Sequence, residues 1–90
     1  MKSNINILVI DDETLILKAL ERTISDAGYT VKTMDDGEKA LKLLSEYDFD
    51  IAIVDIKMPG ISGMEVLKRA KEIKPELEVI MMTAYGKLVL

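Results

Sequence analysis

Short apolar runs alternate along the chain with longer stretches in which apolar residues recur every three or four positions. The short runs are rich in β-branched residues and predict four strands, at residues 5–10, 29–33, 51–54 and 77–82. The longer stretches predict three helices, at residues 14–27, around Ala40, Leu41 and Leu44, and at residues 63–73. The chain is therefore expected to fold as β-α-β-α-β-α-β.

Turn and cap residues mark the boundaries of these elements. Gly28 is placed to end the first helix, and Asp36 is placed to cap the start of the second. The Met58-Pro59-Gly60 stretch separates the third strand from the third helix. Strands alternating with helices predict an α/β fold of parallel strands joined by right-handed crossovers, with helices on both faces. The most apolar strands, the first and third, are expected to lie at the centre.

The composition excludes several classes of function. The 90 residues are expected to form a single domain, and 16 acidic against 12 basic residues give a net charge of −4, which argues against a nucleic-acid surface. The chain has no cysteine and no histidine, so thiolate, imidazole and disulfide chemistry are excluded. Neither a signal peptide nor a membrane-length apolar run is visible, and a cytoplasmic protein is expected.

Acidic residues follow the two strands that are expected to be central. Asp11 and Asp12 follow the first strand, and Asp55 follows the third. Ligands of open parallel α/β sheets bind beyond the carboxyl ends of the strands. Two carboxylates about 4 Å apart repel by roughly 4 kcal/mol at an effective dielectric constant of 20. Such a group either keeps a proton or binds a hard cation such as Mg²⁺, Mn²⁺ or Ca²⁺.

The same spacing also allows a simpler interpretation. A single aspartate after a strand is most often a turn former or a helix cap, and Thr83 after the fourth strand can be explained in the same way. A carboxylate beside a divalent cation can instead attack a phosphoryl group, with the Thr83 hydroxyl donating to a phosphoryl oxygen. Spacing alone leaves both interpretations open.

Three segments together resemble the receiver domain of two-component response regulators. They are Asp11-Asp12-Glu13, the Asp-x-x-Met-Pro-Gly-x-x-Gly stretch that begins at Asp55, and Met82-Thr83-Ala84-Tyr85-Gly86. The resemblance extends over residues 5–86. It implies a flavodoxin-like (CheY-like), doubly wound parallel sheet with strand order 2-1-3-4.

The resemblance also implies a role for each matching residue. Asp55 matches the aspartate that accepts the phosphoryl group, and Asp12 matches the residue that binds Mg²⁺ directly. Asp11 matches its neighbour, which reaches the ion through water, and Lys57 matches the residue whose backbone carbonyl completes the protein ligands of the ion. Thr83 matches the switch hydroxyl.

Further implications concern neighbours of the switch residue and the partners. Ala84 matches the small residue that leaves room for the phosphoryl group, and Tyr85 matches a position that tunes access to it. Proteins of this family take phosphate from a histidine kinase and then change a surface that an output domain or partner recognises. Such a protein is a signalling module and not an enzyme with turnover.

The sequence departs from the family pattern at its carboxyl end. A complete receiver has a further strand and helix, and that strand ends in a lysine near the acceptor. Residues 1–90 are therefore expected to be an incomplete receiver domain, with Lys87 at the start of a fourth helix. The fourth strand is expected to have an open edge and poorly covered apolar side chains, at Leu77, Val79, Ile80, Met81 and Met82. A tail over residues 87–90 is expected to dock against the rest of the protein.

Three other functions compete with a working receiver. The open edge of the fourth strand predicts a homodimer formed by edge pairing or by tail exchange. A truncated receiver that cannot switch could then act only as a structural or dimerisation module. An aspartate-based phosphatase is disfavoured because the expected second aspartate is Glu13. A flavin site is disfavoured because the acidic first loop would repel phosphate.

Overall fold

The computed structural model describes residues 4–82 and the backbone of residues 88–89. This part of the chain holds three helices and one sheet of five strands. In chain order the elements are β1 (Asn6–Ile10), α1 (Thr14–Asp26), β2 (Thr30–Met34), α2 (Gly37–Glu46), β3 (Ile51–Asp55), α3 (Gly63–Ile73), β4 (Glu78–Met82) and β5 (Leu88–Val89). The first seven elements match the predicted alternation.

The sheet has the order β2-β1-β3-β4-β5. The first four strands are parallel, and β1 and β3 are at the centre, so the predicted doubly wound fold is confirmed. The register pairs Ile10 with Val54 and Asp55 with Met82. Strands β1, β3 and β4 therefore end close together at one edge of the sheet.

Alternate residues of the central strands supply two hydrophobic clusters. Leu8, Ile10, Ala52 and Val54 pack with side chains from α2 and α3. Ile7, Val9 and Ile53 pack with Leu17 of α1. Because successive side chains of a strand point to opposite faces, α1 covers one face of the sheet while α2 and α3 cover the other.

The predicted helix boundaries are confirmed by local geometry. Gly28 has a φ of 99°, a left-handed conformation that glycine adopts without steric cost, and it follows the end of α1. The Asp36 carboxylate accepts the N–H of Lys39 at 3.0 Å and so caps α2. The Ser62 hydroxyl caps α3 by accepting the N–H of Glu65 at 3.2 Å.

The carboxyl end of the chain differs from the expectation. Residues 88–89 form the short strand β5, antiparallel to β4, where a fourth helix beginning near Lys87 was predicted. The register pairs Met81 with Val89 and Met82 with Leu88. An unpaired strand edge offers N–H and C=O groups to any extended segment within reach, and Leu88–Val89 is apolar and β-prone. The predicted docking of the tail is confirmed for these two residues.

The exposure expected for the fourth predicted strand, residues 77–82, is wrong at two positions. Leu77 is 2% exposed and Met81 is 7% exposed, and both belong to the cluster beneath α2 and α3. Val79, Ile80 and Met82 are half-buried. Leu77 and Met81 share their cluster with Val66 and Ala70 of α3. Within the described part of the chain, no helix has both the length and the apolar character needed to cross a membrane.

Candidate functional site

Three aspartates meet where strands β1 and β3 end. Asp11 and Asp12 follow β1 directly, and Asp55 is the last residue of β3. One carboxylate oxygen from each of the three lies within 4.8 Å of the other two. The parallel register of β1 and β3 produces this cluster, because it sets the carboxyl ends of the two strands side by side.

Asp11 is the buried member of the cluster, with 2% of its surface exposed. Its main-chain N–H donates to the carbonyl of Met34 at 3.1 Å, and its Oδ1 accepts the N–H of Glu13 at 2.9 Å. Burial, together with the smaller effect of the negative charges of Asp55, Asp12 and Glu13, raises the pKa of the Asp11 carboxyl to about 6, against the lowering effect of the hydrogen bond from the Glu13 amide.

Asp12 and Asp55 are more accessible than Asp11. Asp12 is exposed and Asp55 is half-buried. The Asp55 Oδ1 accepts the main-chain N–H of Lys57 at 3.2 Å, much as Asp11 accepts that of Glu13. Asp11 and Asp55 therefore act as turn formers, as the simpler interpretation predicts, and each still presents a carboxylate oxygen to the cluster.

Among the described residues, no cationic side chain forms a salt bridge with the carboxylates of the cluster. Within residues 4–82, the salt bridges of lysine and arginine side chains involve other acidic residues, and none includes Asp11, Asp12 or Asp55. Carboxylate oxygens without nitrogen or sulfur ligands are the donor set of hard divalent cations. The cluster can therefore hold a cation of this kind, which would remove the mutual repulsion of the carboxylates.

The remaining predicted residues are placed only in part. Lys57 is exposed, and its main-chain N–H contacts Asp55, while the role of its carbonyl stays a prediction. The predictions for Thr83, Ala84 and Tyr85 lie outside the described residues. The carbonyl of Met82, the residue before Thr83, accepts the N–H of Ile56 at 3.0 Å. This hydrogen bond joins the last residue of β4 to the residue that follows Asp55.

The final glycine of the Asp-x-x-Met-Pro-Gly-x-x-Gly stretch was given no role of its own by the sequence analysis. Gly63 begins α3, and its N–H donates to the carbonyl of Ile56 at 3.0 Å. A Cβ at this position would collide with the carbonyl oxygen of Asp55. The available signal was the place of this glycine in that stretch and at the first position of a helix, directly after the capping Ser62, where a better helix former is usual.

The family model that describes the response regulator receiver domain matches residues 7–90. The chain belongs to the response regulator receiver domain family.

Two curated relatives illustrate the range of proteins that contain such a domain. The DNA-binding transcriptional regulator NtrC of Escherichia coli (strain K12) is 40% identical over 80 residues, which are 89% of this chain and 17% of the regulator. Sporulation initiation phosphotransferase F of Bacillus subtilis (strain 168) is 38% identical over 85 residues, which are 94% of this chain and 68% of that protein. The chain thus spans less than a fifth of the first relative and about two thirds of the second.

A solved structure agrees with the fold. The response regulator protein TrrA from Thermotoga maritima, in complex with Mg²⁺-BeF, superposes with a TM-score of 0.86 at 40% identity, covering 91% of this chain and 71% of that one. The same regulator, in complex with the histidine kinase ThkA, superposes with a TM-score of 0.85 and covers 92% of this chain and 72% of the regulator chain.

Proposed function

We propose that this protein is a phosphoacceptor receiver of a two-component system and that Asp55 accepts the phosphoryl group. The observation that carries the proposal is the meeting of the Asp11, Asp12 and Asp55 carboxylates within 4.8 Å at the carboxyl ends of β1 and β3. Asp55 is half-buried, so its carboxylate is held by the fold and remains accessible to a donor.

The cluster fits Mg²⁺ by its chemistry and its dimensions. Two ligands of one octahedral Mg²⁺ are separated by about 3 Å when adjacent and about 4 Å when opposite, since each bond is about 2.1 Å long. Carboxylate oxygens within 4.8 Å of one another reach that range with small side-chain rotations. Asp12 and Asp55 would bind the ion directly, Asp11 would hold it through water, and the Lys57 carbonyl would complete the protein ligands.

The proposed reaction is a phosphoryl transfer to a carboxylate. A bound Mg²⁺ would neutralise charge on the phosphoryl oxygens. One Asp55 oxygen attacks phosphorus and forms an O–P bond, while the P–N bond of a phosphohistidine breaks and its electron pair leaves with the imidazole nitrogen. The Lys57 N–H, 3.2 Å from Asp55 Oδ1, fixes the rotamer of the attacking carboxylate. Thr83 would donate its hydroxyl hydrogen to a phosphoryl oxygen.

The proposed phosphodonor is a histidine kinase, and the proposed reader is an output domain or partner protein. The complex of the similar regulator TrrA with the kinase ThkA supports the first of these partners. The phosphoryl group stays on a residue of the protein itself, so the protein acts as a signalling module without turnover of a free substrate. The acidic balance of the chain, at −4, supports no direct nucleic-acid contact by this segment.

The proposal is tested by labelling with a small phosphodonor. The wild-type protein is incubated with acetyl phosphate and Mg²⁺, and its mass is compared with that of Asp55→Asn, which keeps the shape of the side chain. We expect an acid-stable, base-labile gain of one phosphoryl group in the wild type alone. Equal labelling of both proteins would remove Asp55 from the proposed role.

The spectrum and self-association of the protein, recorded before and after phosphorylation, separate a working receiver from the alternative of a structural module. A protein that binds Mg²⁺ but shows no change in spectrum or self-association on phosphorylation fits the alternative.

A homodimer through the outer edge of β4 stays a prediction, and it is supported by the short extent of β5, which pairs with Met81 and Met82 only. A monomer in light scattering at high concentration would contradict the dimer.

A further inference from the structure

The peptide unit that joins Asp55 to Ile56 is held from two sides. Its N–H, on Ile56, donates to the carbonyl of Met82 in β4 at 3.0 Å. Its C=O, on Asp55, points the opposite way, because the N–H and C=O of a trans peptide are antiparallel. That carbonyl faces Gly63, the first residue of α3. The main chain of the proposed acceptor therefore lies between β4 and the start of a helix.

The contact with Gly63 leaves no space for a side chain. A Cβ at this position would collide with the Asp55 carbonyl oxygen and would lie 2.8 Å from both the Asp55 carbonyl carbon and the Ile56 Cα. These are backbone atoms of the sheet and the loop after it, and they cannot turn aside as the end of a flexible side chain can. The Gly63 N–H also donates to the Ile56 carbonyl at 3.0 Å, which closes the loop between β3 and α3.

We propose that Gly63 is a positioning residue for Asp55: its missing side chain lets α3 pack directly on the Asp55–Ile56 peptide and so fixes where the Asp55 carboxylate lies relative to Asp11 and Asp12. The inference rests on the proposed function for the acceptor role of Asp55. A methyl group at position 63 must push the peptide by roughly half an ångström or more. A misplacement of about 1 Å at a reacting group can lower a rate about a hundredfold.

The chain contains a matched control for this substitution. Gly37 is the first residue of α2, as Gly63 is of α3, and each follows a capping residue, Asp36 or Ser62. A Cβ at Gly37 would lie 2.6 Å from Cγ2 of Ile61 and 2.8 Å from Cγ2 of the buried Val66. Both neighbours are side-chain methyl groups, and neither is a backbone atom of the Asp55–Ile56 peptide. Gly37→Ala therefore disturbs packing near the same loop and spares the acceptor.

The test compares the wild type with Gly63→Ala and Gly37→Ala. The measurements are the unfolding free energy in urea, the Mg²⁺ dissociation constant by calorimetry, and the initial rate of phosphorylation by acetyl phosphate at saturating Mg²⁺. We expect Gly63→Ala to be phosphorylated at least about tenfold more slowly, and Gly37→Ala to stay within twofold of the wild type even if it loses as much stability. Equal rates for the two folded variants overturn the inference.

Two further measurements keep the inference testable. If Gly63→Ala does not fold, hydrogen exchange of the wild-type amides is followed as Mg²⁺ and beryllofluoride are added. Exchange at Gly63 should then slow at least about fivefold while exchange at Gly37 changes less than twofold, and equal responses overturn the inference. If the variant folds but the wild type accepts no phosphoryl group, the proposed function fails. The ¹³C shift of the Asp55 carbonyl, measured without metal or donor, then decides the positioning role: an unchanged shift in Gly63→Ala overturns it.

Discussion

Strand β3 has aspartates near both of its ends, and the surroundings of these carboxylates differ between the two ends. Before the strand, Asp50 Oδ2 accepts the main-chain N–H of Asn6 at 2.8 Å, and a carboxylate oxygen of Asp48 lies 2.8 Å from the Lys74 Nζ. Each of these carboxylates has a donor from another part of the chain. They connect β1, β3 and the end of α3, and so they contribute to the stability of the fold.

At the other end of β3 the carboxylates face one another. The Asp55 carboxylate lies close to those of Asp11 and Asp12. The side chains of Asp55 and Asp11 each accept a hydrogen bond from a main-chain N–H two residues further along the chain. Like charges held this close lower the stability of the folded state until a cation or a proton balances them. The comparison indicates that the carboxylates before the strand are balanced by donors from other segments, whereas those after it repel one another.

The largest expected difference between the two ends is in Mg²⁺ affinity. Asp12→Asn removes a charged ligand from the cluster, and we expect the Mg²⁺ dissociation constant to rise by about a hundredfold or more. Asp50→Ala, at the opposite end, should change it by less than twofold. Isothermal titration calorimetry of the two variants measures both effects. A similar loss of affinity in both would show that the two ends are not separate in function.

The second expected effect is a pH dependence of stability in the metal-free protein. The Asp11 pKa is about 6 in the folded state against 3.8 for an ordinary aspartate, so the folded protein binds more protons than the unfolded chain between these values. The favourable contribution of protonated Asp11 is fully present below about pH 4 and is lost as the pH rises through 6.

The measurement is urea unfolding in the presence of a chelator. Relative to Asp11→Asn, the unfolding free energy of the wild type should fall by about 2.4 kcal/mol between pH 4 and pH 7. Saturating Mg²⁺ should recover stability at pH 7, because it binds the folded state alone. A constant difference between the two proteins over this range would contradict the raised pKa.

A smaller effect is expected from the opposite end of β3. Asp50→Ala removes the acceptor for the Asn6 N–H, and we expect a loss of about 2 kcal/mol in unfolding free energy, because this hydrogen bond has a charged acceptor and is partly buried. The loss should be the same with and without Mg²⁺. A loss that disappears on adding Mg²⁺ would instead connect Asp50 to the metal cluster.

The smallest effect is expected for the surface pair of Asp48 and Lys74. The Asp48 side chain is 87% exposed, so solvent screens the interaction. A double-mutant cycle with Asp48→Ala and Lys74→Ala should give a coupling of less than about 1 kcal/mol, and less still at high salt. A larger coupling would show that this pair contributes to the fold as strongly as the Asp50 hydrogen bond does.

The strands, the helices and the meeting of the aspartates could be predicted because each depends on a local pattern. Periodicity gives the elements, the alternation of strands and helices gives parallel pairing, and parallel pairing sets the residues after β1 and β3 side by side. The cap at Asp36 and the turn at Gly28 follow from the chemistry of single residues.

Other features depend on contacts between distant segments, and the sequence does not reveal them. Asp11 and Asp12 are adjacent and chemically identical, yet one is buried and the other exposed. The burial of Met81 depends on how α3 lies over the sheet, and β5 depends on where Leu88–Val89 meets β4. The contact of Gly63 with Asp55 joins residues eight positions apart in a geometry that no periodic pattern encodes.

The bond from the Asp11 N–H to the Met34 carbonyl links the most buried carboxylate to the last residue of β2, at the rim of the sheet. Rim strands open more readily than central ones. A fluctuation that separates β2 from β1 would break this hydrogen bond and release Asp11 before the two hydrophobic clusters come apart. The cluster of Asp11, Asp12 and Asp55 would then lose its geometry under mild denaturing conditions in which most of the backbone is still folded.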